Sequence, residues 1–136
     1  MIRKGSAVWK GSLKEGKGTI SLESGVLEEV QYSFKTRFEN GNGTNPEELI
    51  GAAHAGCFSM QLSANLSEEG FTPDKLETTS KITFEDGKIK KSHLILDATV
   101  PGIDEDKFKK IMNDAKENCP VSKLLNAEIT IEYTLK

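Results

Sequence analysis

The sequence predicts an α+β fold in which antiparallel sheets surround a long central helix. Short alternating segments between Ser6 and Phe38 are typical of strands. A helix start at Asn45 leads into a long run with helical spacing, and a hairpin sequence follows around Asp86-Gly87. Because strands and helices do not alternate regularly, a doubly wound sheet is not indicated. We expect the order βββ, long α, ββ, α, short α, β.

Composition is that of one globular domain spanning residues 1–136, with 36% hydrophobic and 29% charged residues. The net charge of −3 and the scattered basic residues argue against a nucleic-acid partner. The longest apolar run, Leu49 to Ser59, is too short to cross a bilayer, and the first residues do not resemble a signal peptide. We therefore expect a cytoplasmic protein with no membrane partner.

Three strands are predicted before the long helix, the third over "VQYSFKTRF" with Val30, Tyr32 and Phe34 on one face. This prediction places Arg37 at the end of the third strand. The segment "ENGNGTN", Glu39 to Asn45, is rich in turn-forming residues and predicts a loop.

The long helix has a well-specified start. Asn45 is the expected N-cap, Pro46 the first helical residue, and Glu48 the partner of a capping-box-like pair; the helix should end near Ser67, before Gly70.

A stripe of apolar and small residues predicts a helix surrounded by protein on most sides, and the small residues predict close approach of another backbone. The stripe contains Leu49, Ala53, Gly56, Met60 and Ala64, and the small residues are Gly51, Ala52, Ala55 and Gly56.

After the hairpin, Asp104 is expected to cap a second helix that ends near Asn118, since Pro120 disfavours helix at the residue before it. A short helix starting at Pro120 and a final strand in "EITIEYTL" complete the predicted order.

The two cysteines admit two interpretations. Cys57 in a mostly apolar helix is compatible with an inert core residue, because free cysteine is often buried. Cys119 precedes Pro120 at the expected N-cap of a short helix, where backbone N–H groups favour a thiolate. Together they fit a reactive thiol with a resolving partner, and they form neither a disulfide framework nor a zinc-finger spacing.

A working Cys57 requires a nearby cation, because burial raises the pKa of a thiol. Arg37 is the candidate, with Glu47 to orient it, although a solvated arginine and a helix-dipole carboxylate explain them as well. Glu47 and Cys57 lie about 15 Å apart along one helix. If the three residues act together, Arg37 and Glu47 must come from a second copy, which predicts a homodimer with two interfacial sites.

A metal site of His54, Cys57, Cys119 and His93 is the weaker alternative, because no ligand spacing supports it. His54 is better explained as a hydrogen-bonded core histidine or as a residue lining the site. We expect neither a metal nor another cofactor.

Several motifs resemble the OsmC/Ohr family of organic hydroperoxide peroxidases, in the right order over nearly the whole chain. They are "LESGVL" (22–27), "FKTRFE" (34–39), "GTNPEELIGAAHAGCFSM" (43–60), "GFTP" (70–73), "VPGID" (100–104), "CPVSKLL" (119–125) and "AEITIEYTL" (127–135). The long helix motif followed by Cys-Pro-Val-Ser is the most specific of these.

The resemblance implies an intertwined homodimer and a cysteine-based peroxidase acting on organic hydroperoxides and, less well, on hydrogen peroxide. It implies that Cys57 becomes a sulfenic acid, that Cys119 condenses with it to a disulfide, and that Arg37 held by Glu47 activates Cys57. The implied reductant is a dithiol such as a lipoylated protein. Phe58 and Met60 are candidates for a substrate entrance, with core packing as the alternative explanation.

A non-enzymatic dimeric protein, either a binding protein or a redox sensor, remains the alternative function. In that case the two cysteines would fill the core or respond to oxidants without turnover.

Overall fold

A computed structural model describes residues 1–39 and 41–136. The chain divides into two compact units, Met1–Leu49 and Ile50–Lys136, with the long helix beginning in the first and continuing through the second. The prediction of one domain over residues 1–136 stays a prediction. Within the described residues, no helix is both long and apolar enough to cross a membrane.

The first unit contains the predicted meander of three antiparallel strands. These are β1 (Gly5–Lys10), β2 (Lys17–Leu22) and β3 (Val30–Tyr32), paired in the order β1-β2-β3. The rings of Trp9 and Tyr32 meet over Gly18 in a tilted arrangement, with ring centroids 5.4 Å apart. A side chain at Gly18 would collide with both rings, so glycine permits this aromatic contact.

The predicted third strand is too long, because residues 34–38 form a short helix, α1 (Phe34–Phe38). The physical reason is a reciprocal cap. The Thr36 N–H donates to Ser33 Oγ at 3.3 Å, and the Ser33 N–H donates to Thr36 Oγ1 at 2.7 Å. Arg37 therefore lies on a helical turn rather than at a strand end. The predicted loop that follows includes Asn40, which lies outside the described residues.

The long helix, α2 (Pro46–Glu68), starts where the sequence predicts. Asn45 Oδ1 accepts the Glu48 N–H at 2.7 Å, and the Asn45 amide donates to the Thr36 carbonyl at 2.9 Å. The carboxylate of Glu48 accepts from the Thr44 hydroxyl at 3.4 Å. The cap thus both begins α2 and holds it against α1.

The buried face of α2 is not the predicted stripe. The buried residues are Gly51, His54, Phe58, Leu62 and Leu66. Of the predicted stripe, Leu49 is half-buried, whereas Ala53, Gly56, Met60 and Ala64 are exposed. The prediction that protein surrounds the first half of α2 is therefore wrong for one protomer. The reason is that the larger apolar residues, spaced three and four apart, determine which face packs on the sheet.

The predicted close backbone approach is confirmed at one glycine. A Cβ atom built on Gly51 would lie 3.2 Å from the Ser80 carbonyl oxygen, so the helix backbone packs directly against the next sheet. The same atom on Gly56 would meet nothing within 4 Å. Close packing inside the protomer therefore explains why residue 51 is a glycine. Gly56 is exposed, and no contact with the described residues of the protomer requires a glycine there.

The second unit contains the predicted hairpin, β4 (Lys75–Glu85) and β5 (Lys88–Thr99). Its turn has positive φ angles at Asp86 (54°) and Gly87 (76°), as a two-residue hairpin of this sequence requires. The following helices, α3 (Glu105–Asn118) with its Asp104 cap and α4 (Pro120–Leu124), are also confirmed.

The final strand, β6 (Glu128–Leu135), pairs parallel to β5, in contrast to the predicted antiparallel sheets. The α+β class is confirmed, but the second sheet is mixed. The two helices between β5 and β6 form a crossover connection, which parallel pairing requires.

The core of this unit lies between the sheet and the helices α2 and α3. Fully or almost fully buried are Phe58, Leu62, Leu66, Leu94, Leu96, Ala98, Val100, Phe108, Ile111, Met112, Ala115 and Cys119. The same core positions the two helix segments that carry the cysteines.

Candidate active site

The structure brings Cys57 and Cys119 together. Cys57 lies on α2 and is partly exposed, whereas Cys119 lies between α3 and α4 and is fully buried. Both thiols are free, and their side chains are close enough to hydrogen bond. In such an arrangement the exposed sulfur can react with a reagent from solution, and the buried sulfur can then attack the oxidised product.

Three influences act on the pKa of Cys57. Burial is the largest and raises the pKa; the Val121 N–H at the start of α4 lowers the pKa by donating to the sulfur; and Cys119 raises the pKa by electrostatic repulsion and by a side-chain hydrogen bond. Their net effect keeps Cys57 a neutral thiol at neutral pH. A reactive thiolate at this position therefore requires an additional positive charge.

Cys119 has the N-cap position that the sequence predicts. Its sulfur accepts the Ser122 N–H at 3.4 Å, and its own N–H donates to the Ala115 carbonyl at 3.0 Å. The Ser122 hydroxyl lies 3.0 Å from the same sulfur. Cys119 thus joins two helices and is fixed in position by hydrogen bonds on both sides.

His54 is the buried histidine that connects the site to the sheet. Its Nε2 lies 2.8 Å from Ser122 Oγ and its Nδ1 lies 2.6 Å from Ser92 Oγ, which is itself 2.7 Å from Ser80 Oγ. Burial lowers the pKa of His54, so the ring is neutral at neutral pH. The interpretation of His54 as a hydrogen-bonded core histidine is confirmed. The Ser122 hydroxyl, which contacts both His54 and Cys119, connects the histidine to the buried thiol.

Arg37 and Glu47 form a bidentate ion pair within the first unit. The guanidinium Nε and one terminal nitrogen donate to Glu47 Oε1 at 3.0 and 2.8 Å, and Nε also reaches Oε2 at 3.3 Å. The side chains are 36% and 13% exposed, respectively. The sequence anticipated this pairing, and the α1 and α2 caps hold the two backbones that carry it.

A cleft of about 250 Å³ lies beside Arg37 in the first unit. Its lining is mostly apolar and aromatic: Trp9, Leu13, Tyr32, Ser33, Phe34, Arg37, Phe38 and Pro46. This cleft was not predicted from the sequence. Its lining comes from β1, β3, α1, the segment after β1 and the start of α2, and their convergence depends on the α1 turn. The density of aromatic residues before the long helix was the available signal.

Phe58 and Met60, the two candidates for a substrate entrance on α2, differ in exposure. Phe58 is fully buried in the core, so the packing explanation is confirmed for it. Met60 is 77% exposed and lies on the uncovered face of the helix.

The histidines do not gather the proposed metal ligands. His93 lies on the opposite face of β5 from Ser92, where its Nδ1 is 2.6 Å from Thr130 Oγ1 and its Nε2 is 3.2 Å from Glu132. Within residues 1–39 and 41–136, no group of three or more His, Cys, Asp or Glu side chains is arranged to hold a metal ion.

Comparison with known proteins gives consistent matches. The family model described as OsmC-like protein matches residues 39–134. A curated relative, Peroxiredoxin OsmC of Escherichia coli (strain K12), is 53% identical over 98% of this chain and 96% of its own length.

Solved structures share the fold. The organic hydroperoxide resistance protein OhrB of Bacillus subtilis has a TM-score of 0.65 at 25% identity, covering 98% of both chains. An OsmC-like protein from Mycoplasma pneumoniae has a TM-score of 0.77 at 15% identity, covering 99% of this chain and 97% of the other.

Proposed function

The chain belongs to the OsmC-like protein family, and we propose from this premise that it is a thiol-dependent peroxidase that reduces organic hydroperoxides and, less well, hydrogen peroxide. The observation that carries the proposal is the juxtaposition of the Cys57 and Cys119 thiols, one partly exposed and one buried. The names of the relatives, a peroxiredoxin and an organic hydroperoxide resistance protein, describe this chemistry.

In the proposed first step, the Cys57 thiolate attacks the distal oxygen of the hydroperoxide. A sulfur–oxygen bond forms, the oxygen–oxygen bond breaks, and the alkoxide leaves as an alcohol after taking up a proton. Cys57 is then a sulfenic acid. Because Cys57 is the more exposed of the two sulfurs, we assign it the attacking role.

In the second step, Cys119 attacks the Cys57 sulfenic acid, and the disulfide forms with loss of water. The hydrogen-bond contact between the two side chains supports this pairing. A dithiol, such as that of a lipoylated protein, then reduces the disulfide by thiol–disulfide exchange. We place this cycle in the cytoplasm, where thiols are kept reduced.

The cation that activates Cys57 is assigned to Arg37, held by Glu47. Glu47 and Cys57 are ten positions apart on α2, which separates them by about 15 Å along the helix axis. We therefore assign Arg37 and Glu47 to the site of a second protomer, in a homodimer with two equivalent sites. The exposed small and apolar residues of α2, among them Ala53, Gly56 and Met60, support a face on which that protomer packs.

The cleft beside Arg37 is the proposed binding site for the organic part of the hydroperoxide. An apolar aromatic lining favours an alkyl or aryl group, while the guanidinium at its edge is suited to polarise the peroxide oxygens. Hydrogen peroxide has no organic group to occupy the cleft. For this physical reason we expect it to be reduced less efficiently than organic hydroperoxides.

Titration of the reduced protein with one equivalent of cumene hydroperoxide per chain tests the proposal. We expect rapid loss of both thiols, and no loss of the Cys119 thiol in Cys57→Ser. Thiols that persist in the wild-type protein would instead indicate a non-enzymatic binding protein. Both thiols lost without turnover in the presence of a dithiol would indicate a redox sensor.

A further inference from the structure

A continuous chain of buried hydrogen bonds starts at the resolving sulfur. It runs from Cys119 Sγ to Ser122 Oγ (3.0 Å), to His54 Nε2 (2.8 Å), and from His54 Nδ1 to Ser92 Oγ (2.6 Å) and on to Ser80 Oγ (2.7 Å). Cys119, His54 and Ser92 have no exposed surface, and Ser122 is only 6% exposed. The chain connects α4, α2 and the β4–β5 hairpin.

We assign the hydrogen atoms of this chain by starting from the thiol. With the Cys119 S–H donating to Ser122 Oγ, the Ser122 hydroxyl donates to His54 Nε2, and the His54 Nδ1–H donates to Ser92 Oγ. The Ser92 hydroxyl then donates to Ser80. His54 is neutral because burial lowers its pKa, so one ring nitrogen carries a lone pair, and in this assignment it is Nε2, which faces Ser122.

A buried thiol has a particular difficulty as a nucleophile. The thiolate is the reactive form, but Cys119 has no exposed surface through which solvent could take its proton. An internal base within hydrogen-bond reach removes this difficulty. Core packing alone would be satisfied by apolar side chains and does not require an imidazole connected to the sulfur through one hydroxyl.

We propose that Ser122 and His54 form a proton relay that activates Cys119 for attack on the Cys57 sulfenic acid. This inference rests on the proposed peroxidase function and adds a general base to its second step.

The step balances in atoms and electrons. The Cys119 S–H bond breaks as its proton passes to Ser122 Oγ, while the Ser122 hydroxyl proton passes to His54 Nε2. The thiolate forms the S–S bond, which oxidises the Cys119 sulfur and reduces the sulfenic sulfur as its S–O bond breaks. Hydroxide leaves and takes up one proton to become water, and His54 releases one proton, so the net products are the disulfide and one water.

His54→Gln tests the relay, because glutamine can hydrogen bond but accepts no proton at neutral pH. We expect the rate of sulfenic acid formation to stay within about twofold of the wild type, whereas disulfide formation slows about 10²-fold, a typical contribution of a positioned base. The two steps are followed separately, by trapping the sulfenic acid with dimedone and by mass spectrometry of the disulfide.

The pH profile separates a relay from a purely structural role. Hydroxide replaces a missing general base as the pH rises, so the rate of disulfide formation in His54→Gln should approach that of the wild type at pH 9.5. The titratable groups of α2 that meet Cys119 directly or through Ser122 are Cys57 and His54, while β4 and β5 present the hydroxyls of Ser80 and Ser92 to the histidine. A deficit that persists unchanged at pH 9.5 would overturn the relay.

Ser122→Ala breaks the same relay with a smaller change and serves if His54→Gln folds poorly. The matched control is Ser59→Ala on α2, the helix of His54, which removes a 2.7 Å hydroxyl contact with Thr78 and leaves every relay contact in place. Normal disulfide formation at pH 7 in Ser122→Ala would also overturn the inference. A wild-type protein whose thiols ignore hydroperoxide would instead refute the proposed function itself.

Discussion

Arg37 and Glu47 form a bidentate ion pair that joins α1 to the first turn of α2. Two guanidinium nitrogens donate to one carboxylate oxygen at 2.8 and 3.0 Å. Asn45 reinforces the junction by donating to the Thr36 carbonyl one residue before Arg37. The guanidinium is therefore held in a fixed orientation, and 36% of the Arg37 side chain is exposed.

Replacement of Arg37 by alanine should slow thiol loss on addition of hydroperoxide and leave the fold intact. An opposite charge typically lowers a neighbouring acid's pKa by about 1 to 3 units, so we expect a decrease of about 10-fold or more at pH 7. Stopped-flow measurement of thiol loss gives the rate, and circular dichroism reports the fold. A rate equal to that of the wild type would remove arginine activation from the mechanism.

The pH dependence of the same variant has a defined sign. Burial raises the pKa of Cys57, and the positive charge assigned to Arg37 opposes that effect. Without the arginine, the thiolate fraction should rise only at higher pH. The midpoint of the rate against pH should therefore shift upward in Arg37→Ala, and the two proteins should converge in alkaline solution. A downward shift would contradict the assignment.

Glu47→Gln tests whether the carboxylate orients the guanidinium. The amide retains one acceptor oxygen but loses the charge and the bidentate geometry seen in the structure. We expect a smaller decrease in the rate of thiol loss than in Arg37→Ala, of about 3- to 10-fold, since the loss of one typical hydrogen bond costs about 0.5–1.5 kcal/mol. The matched control is Glu48→Gln, which removes the charge of the neighbouring, exposed carboxylate. Its rate of thiol loss should equal that of the wild type.

Cys119→Ser should separate the two chemical steps. Cys57 should still react with one equivalent of hydroperoxide, but its sulfenic acid should persist and bind dimedone, because no second thiol is available. Excess hydroperoxide should then oxidise it further to the sulfinic acid. Intact-protein mass spectrometry distinguishes these products. A variant that consumes its sulfenic acid as fast as the wild type, through a disulfide between two Cys57 residues, would show that Cys119 is not needed as the resolving thiol.

Most of the elements were predictable because they depend on local chemistry. Asn45 with Pro46, Asp104, and the Asp86-Gly87 turn each determine a boundary through their own hydrogen bonds or φ angles. The same is true of Cys119 as the cap of a short helix before Pro120. The Arg37–Glu47 pair was also anticipated, since a cation and a carboxylate flank one loop.

The remaining features depend on contacts that the sequence does not display. The Ser33–Thr36 cap converts a strand-like pattern into α1, and the parallel pairing of β6 depends on the crossover made by two helices. The relay through Ser92 and Ser122 joins residues 38 and 68 positions from His54. Neither periodicity nor spacing reveals such a network, because its members belong to three different elements.

The cleft beside Arg37 should determine preference among hydroperoxides. Leu13→Ser makes its lining more polar at a position that is 62% exposed, so the fold should be unaffected. We expect KM for cumene hydroperoxide to rise several-fold. This corresponds to about 1 kcal/mol, the binding free energy lost when a partly buried leucine contact is removed. The rate with hydrogen peroxide should not change. Equal losses for both substrates would argue against a role of the cleft in binding the organic group.

Gly56 tests the proposed homodimer without disturbing the protomer. A Cβ atom built on Gly56 meets nothing within 4 Å, so Gly56→Leu adds a side chain that one protomer can accommodate. Between two closely packed helices the same side chain forces the backbones apart. We expect a native mass of two chains for the wild type, one chain for Gly56→Leu, and loss of rapid thiol oxidation in the variant, because Arg37 of the second copy is removed.

Gly51→Leu is the contrasting control for the Gly56 experiment. Its Cβ would lie 3.2 Å from the Ser80 carbonyl oxygen, so the added side chain collides inside the protomer and should lower the midpoint of thermal unfolding. Gly56→Leu should keep the far-ultraviolet circular dichroism spectrum of the wild type while it changes the native mass. If wild-type protein has the mass of one chain in dilute solution and still loses both thiols rapidly, the activating cation must come from the same protomer.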